Sequence, residues 1–246
     1  GRNYGLAYIH SPRQTLFIYN SSFIQNNAIR AGVMYLTFVN EYAKIYIKNC
    51  TFINNSAVIE GGVLHIPGYW WVNAHIQLDI MHSSFRINRA FRGAAIYLGY
   101  ISTLAISHCS FLYNRLKNTK KMADGFSYGV AIVLQRVKNT TIYFCLFEHN
   151  YNMPSPQFAT SYQGGCLYFE KVSSVHVLSS LLCYNKIANY GGVMCIKDSG
   201  RILIKYCKFL HNFILPTHLI NDKHHFDGGV GYLFNFESLI CYHSVF

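Results

Sequence analysis

Apolar and polar positions along this chain recur in a fixed order. Phe-x-x-Asn occurs at Phe23/Asn26, Phe52/Asn55, Phe85/Asn88, Phe111/Asn114, Phe147/Asn150 and Phe209/Asn212. Leu182/Asn185 is a near copy, and Phe246 stands where an eighth anchor begins. Between anchors lies a glycine segment: AGVMYL (31–36), GGVLHI (61–66), GAAIYL (93–98), GVAIVL (129–134), GGCLYF (164–169), GGVMCI (191–196) and GGVGYL (228–233). YGLAYI (4–9) is a worn copy of the same segment. Anchors are 26 to 37 residues apart, yet the order of elements never changes. Variable spacing with fixed order predicts a solenoid whose loops vary on a constant frame.

Read by column, the glycine segments are apolar at the fourth position (Met34, Leu64, Ile96, Ile132, Leu167, Met194) and again at the sixth, with a mixed position between them. Inward residues two apart give the period of a strand. Five residues before each anchor stand Ile18, Ile47, Ile80, Ile106, Ile142, Val177 and Ile204, and two before it stands only Ser or Cys. A position that accepts only Ser or Cys faces a crowded interior. Stacking identical columns at about 4.8 Å sets the anchor asparagines one above another, where their amides bond along the stack. The glycine pair re-enters a strand at a bend where a Cβ would clash. The expected fold is all-β: a right-handed parallel β-helix (solenoid) of about seven coils, roughly 35 Å long. It forms a single domain over residues 1–246. The chain starts at a glycine strand and stops at an anchor Phe without polar caps, so it reads as a segment of a longer repeat protein, or one whose ends stack on partner subunits.

The alternation of F-x-x-N with GG-[AV]-[ILM] resembles the repeats of chlamydial polymorphic outer-membrane proteins and of related pectin-lyase-like extracellular β-helix proteins. The resemblance spans nearly the whole chain. It implies surface display and adhesion but no single chemistry, and fold alone does not give function. This sequence writes Val more often than Ala after the glycines.

Composition supports a large core, with 51% hydrophobic residues, and the low charge of 13% argues against disorder. No apolar run is long enough for a membrane helix. A net charge of +11 favours polyanionic partners. Arg86, Arg89 and Arg92 surround the third anchor turn, and Arg115, Lys117, Lys120 and Lys121 follow the fourth. Both runs leave the same corner of adjacent coils, which predicts one basic patch. A solvated loop face is the plainer reading. Nucleic acid is disfavoured because no binding module is recognised.

The mixed column of the glycine strand reads Tyr8, Tyr35, His65, Tyr97, Val133, Tyr168, Cys195 and Tyr232. Facing away from the interior, it offers a row of tyrosines for glycans or another surface or matrix protein, unless a loop such as 67–73 covers it. An ordinary sheet surface is the competing reading. Depolymerases of this fold class need converging carboxylates, and no two acids share an outward column in adjacent coils. The loop holding His218, Asp222, His224, His225 and Asp227 is the best catalytic or metal candidate. A solvated polar loop explains it as well, so no cofactor or metal is expected. Long insertions at 115–128, 151–163 and 213–227 leave the corner after the asparagine, on one edge. Cys109 and Cys145 fall in successive coils within disulfide reach, although small buried packing also explains them. Sequons occur at Asn20, Asn49, Asn54 and Asn139. The expected function is a non-catalytic extracellular or cell-surface module with a structural, adhesive or fibre-forming role, able to self-associate through its ends. The alternatives are a carbohydrate-binding module and a polysaccharide lyase or hydrolase.

Overall fold

A computed structural model describes residues 3–10, 15–37, 42–68, 75–117, 127–152, 162–163, 165–188, 192–215 and 230–246. These residues form stacked coils of parallel strands without a helix. Each coil contributes a glycine strand such as Leu64–Ile66, a pre-anchor strand such as His75–Met81, an anchor strand such as Ser84–Arg86 and a short post-anchor pair such as Arg89–Ala90. Anchor strands form a 7-stranded sheet. Glycine and pre-anchor strands join in one 14-stranded sheet, because the 12-residue strands Met194–Lys205 and Gly231–Tyr242 run through both positions.

The pairing register reproduces the columns read from sequence. Leu64 pairs with Ile96, Ile96 with Ile132 and Ile132 with Leu167. Ile80 pairs with both Ile47 and Ile106. Alternate residues of each strand point into one continuous apolar core. The anchor rings stack within it: Phe23–Phe52, Phe52–Phe85, Phe85–Phe111 and Phe111–Phe147 lie 5.1, 4.8, 4.7 and 4.8 Å apart. Burying one such side chain contributes about 1.5–3 kcal/mol.

The anchor asparagines form a ladder from Asn26 to Asn212. Each amide nitrogen donates to the next asparagine's Oδ1 at 2.9 to 3.1 Å. From Asn55 onward the same nitrogen also donates to the anchor carbonyl of the coil before, as Asn114 does to Phe85 at 2.9 Å. Each inner Oδ1 accepts a backbone N–H besides, as that of Asn114 does from Asn88. The side-chain amides are thereby satisfied inside an apolar wall.

The Ser/Cys column does more than fit a crowded interior. Each coil turns there through a left-handed residue: Asn20, Asn49, His82, His108, Phe144, Ser179, Tyr206 or His243. The next side chain donates to the carbonyl two residues back, as Ser83 does to Met81 at 2.8 Å and Cys109 to Ser107 at 3.2 Å. Ser83 and Ser180 also accept the N–H of Cys50 and Cys145 in the coils before them. Only a short donor side chain closes this corner. At the glycine corner, Gly61 has φ +63, and a Cβ on Gly62 would lie 1.9 Å from the Ala94 carbonyl oxygen. The first glycine serves conformation and the second serves close approach of backbones. Ala94 and Val130 replace the second glycine in two coils and pack with Leu116 and Ile187 in a separate apolar cluster.

Candidate functional site

The tyrosine column is not a solvent-exposed platform. Tyr35, His65, Tyr97 and Tyr168 are all buried, and only Tyr8, 50% exposed, opens to water, with Tyr232 half-buried. The side chains face away from the main core, as the alternation requires. Tyr97 and Tyr168 form a separate cluster with Val133 and Cys195, against which Tyr232 packs. Alternation sets the direction of a side chain, not its burial: the chain itself covers this face, with Glu60 and Arg92 at His65 and with Gln135 and Glu170 at Tyr97 and Tyr168. Against the column, a Cβ on Gly61 would come within 2.9 Å of the His65 Cβ.

His65 sits between Tyr35 and Tyr97, edge-on at 4.9 and 5.0 Å. Its Nε2 lies 3.5 Å from Glu60 Oε2, while its Nδ1 is buried without a partner. Arg92 Nη1 donates to Glu60 Oε1 at 3.0 Å. Burial, assisted by the charge of Arg30, lowers the His65 pKa to about 3. Desolvation of the imidazolium outweighs a carboxylate already committed to Arg92. His65 is therefore a neutral wall residue at physiological pH, sealed from any substrate. Further along the same column, Tyr97 donates to Gln135 at 2.5 Å, Gln135 to Glu170 at 2.8 Å, and Tyr168 to Glu170 at 3.4 Å. This network ties three coils together.

The basic patch forms in part. Arg89 and Arg115 are register partners in adjacent coils, and Lys117 lies half-buried beside them. Arg86 is exposed on the anchor strand. Arg92 does not join them: it lies at the glycine corner, ion-paired with Glu60. Its two-residue displacement past the post-anchor pair carries it onto a different face. Lys120 and Lys121 lie outside the described residues, as do the His218–Asp227 loop, most of the three long insertions and most of the 67–73 loop.

Asn20, Asn49 and Asn139 are exposed, and Asn54 is half-buried. Asn49 Nδ2 donates to Asn20 Oδ1 at 3.1 Å, so the two sequons stack in adjacent coils. A glycan on Asn49 would replace that bond. Cys109 and Cys145 are free thiols, like the other cysteines. Hydrogen bonding with Cys145 and burial push the Cys109 thiol up. Each also donates to a backbone carbonyl, Cys109 to Ser107 and Cys145 to Tyr143. The structure holds the two as buried thiols, the small-packing reading, and does not join them in the bridge that the sequence left open.

Sequence reasoning missed the surface that does carry exposed aromatics. The left-handed residue before each anchor asparagine points outward. In four successive coils it is Tyr113, His149, Tyr184 and His211, stacked at 4.9, 5.2 and 5.0 Å. Tyr113 and Tyr184 are 43% and 42% exposed. The signal was present: a residue beside an inward asparagine must face out. At the opposite corner, Lys171, Asp198, Asn235 and Glu237 line an open groove of about 400 Å³, with Asn235 donating to Asp198 at 2.8 Å. Among the described residues no cluster of His, Cys, Asp and Glu has the make-up of a metal site. Among the described residues no helix is long and apolar enough to cross a membrane. Compared with models of known protein families, with curated proteins and with solved structures, the chain finds no match.

Proposed function

We propose that this chain is a non-catalytic module of an extracellular or cell-surface protein, a right-handed parallel β-helix with a structural or adhesive role. The observation that carries the reading is the fate of the carboxylates. Each described one already meets a donor within 4 Å: Glu60 with Arg92, Asp79 with Gln77, Glu148 with His149, Glu170 with Gln135, Asp198 with Asn235 and Glu237 with Arg201. They are spread along the rod as local clamps. The hand follows the usual preference of parallel crossovers. The resemblance to chlamydial and pectin-lyase-like repeats supports surface display.

Ala7–His10 and Gly231–Tyr242 each pair on one side only among the described residues, so self-association through these edges is part of the proposal. Sequon use at exposed Asn20 and Asn139 fits the same location, and glycans found there in secreted protein would support it. The direct test is incubation of the purified chain with a panel of acidic polysaccharides. Unchanged polymer length is the expected result. Shortening that is lost in Glu237→Gln would establish the second reading, a carbohydrate-active enzyme. The groove shared by Asp198 and Glu237 is the observation that favours it.

A further inference from the structure

Beyond the Tyr113–His149–Tyr184–His211 ladder, across the inward asparagines, runs a second outward column. Arg89 pairs with Arg115, and Tyr151 bridges to both Arg115 and Lys186. Arg115 Nη1 donates to the Tyr151 hydroxyl at 3.2 Å. Among the described residues no carboxylate contacts Arg89, Arg115, Lys117 or Lys186, although Glu148 stands on the neighbouring anchor strand, 3.6 Å from His149. Arg89 Nε is buried without a hydrogen-bond partner. Burial and the neighbouring guanidinium of Arg115 lower the Arg89 pKa, and burial with Arg89 and Arg115 does the same for Lys117. Packed like charges with an unmet donor are a cost in the free chain that an anion would remove.

We propose that this edge binds a linear acidic polysaccharide laid along the rod axis, its carboxylate or sulfate groups taken by Arg89, Arg115, Lys117 and Lys186. The inference rests on the reading of the chain as a surface module. Guanidinium groups offer paired donors that match a carboxylate or sulfate. Tyr113 and Tyr184, exposed two residues before Arg115 and Lys186, offer hydroxyls to which sugar hydroxyls can bond. The ladder rings stack on one another, so their faces are spent. That disfavours single-stranded nucleic acid, whose bases need open aromatic faces. From Arg89 to Lys186 is three coil spacings, about 14 Å.

The test is titration of the folded chain with size-graded oligomers of polygalacturonate and of heparin, with dextran and single-stranded DNA oligomers beside them. Salt-sensitive binding of the acidic oligosaccharides is expected, tightening with length until they span about 14 Å. The tighter of the two series assigns carboxylate or sulfate. Arg89→Ala with Arg115→Ala should weaken binding about tenfold or more. Tyr113→Ser with Tyr184→Ser should weaken it about threefold, with the salt dependence unchanged. Lys117→Gln with Lys186→Gln should act in the same direction as the arginine pair. Parent and cation variants binding alike, or DNA binding as tightly as the oligosaccharides, would overturn the proposal. Polymer length read in the same samples tests the non-catalytic reading separately: shortening with intact binding overturns that reading alone.

Discussion

Two columns of tyrosine and histidine run along this solenoid. In one, Tyr35, His65, Tyr97 and Tyr168 lie in the wall behind the glycine strands, buried. In the other, Tyr113, His149, Tyr184 and His211 ride the corner before the asparagine ladder, open to water. In both, rings in adjacent coils lie about 5 Å apart, as Tyr35, His65 and Tyr97 do at 4.9 and 5.0 Å, and both columns are built from residues that pair an apolar body with a polar tip. What separates them is position in the coil. The wall column alternates with core residues and is buried within the chain, so its hydroxyls must find partners inside the protein. The corner column needs only a left-handed backbone and a free outward direction. Residue type alone does not say which tyrosine holds the fold and which faces water.

The largest expected effect lies in the wall. Tyr168→Ala should cost about 3–5 kcal/mol of unfolding free energy, as truncation of a buried aromatic does; denaturant titration measures it. A cost near that of a surface change would mean that the column is not buried.

His65 makes the wall acid-sensitive. Its folded pKa of about 3 lies below the unfolded value of 6.5, so the unfolded chain takes up the proton first. The contribution of neutral His65 is complete above pH 6.5 and lost as pH falls towards 3, amounting to no more than about 5 kcal/mol. Glu60, Arg92 and Arg30 are the charges around it. His65→Gln should flatten the difference in stability between pH 6.5 and 4, and identical acid profiles of variant and parent would refute this.

Thiols sharpen the same contrast. Burial pushes Cys195, in the wall column, up to about 12, while Cys241 is exposed. An aromatic disulfide reagent should modify Cys241 in the native protein and reach Cys195, Cys109 and Cys145 only on unfolding. If Cys109 and Cys145 have oxidised to a bridge, the denatured count falls by two thiols. The smallest effect belongs to the corner: Tyr184→Ser should change stability by about 0.5 kcal/mol or less.

The frame was legible in the sequence because a column repeats. Phe85 or Asn114 alone signals little, but seven copies in order fix strands, register and ladder. The site was less legible for two reasons. Alternation told that Tyr97 and Tyr168 point away from the core, yet it could not tell that they are buried, since partners such as Gln135 for Tyr97 come from another coil. Arg92 looked like one of a run, yet its neighbours in sequence turn a corner, and Glu60 of the previous coil claims it. Conversely Tyr113 and His149 were overlooked because they lie beside the anchor motif, outside both strands whose columns were aligned. Asn152 has no physical account: it replaces Leu116 and Ile187 in an apolar column, buried, with neither side-chain polar atom bonded.

The central claim is that position in the coil wall, not residue type, sets the role of each ring. Mapping diethyl pyrocarbonate modification of the native protein by mass spectrometry tests it most directly. The account predicts that His149 and His211 react while His65 stays unmodified until the chain unfolds. Modification of His65 at the rate of His149 would contradict it.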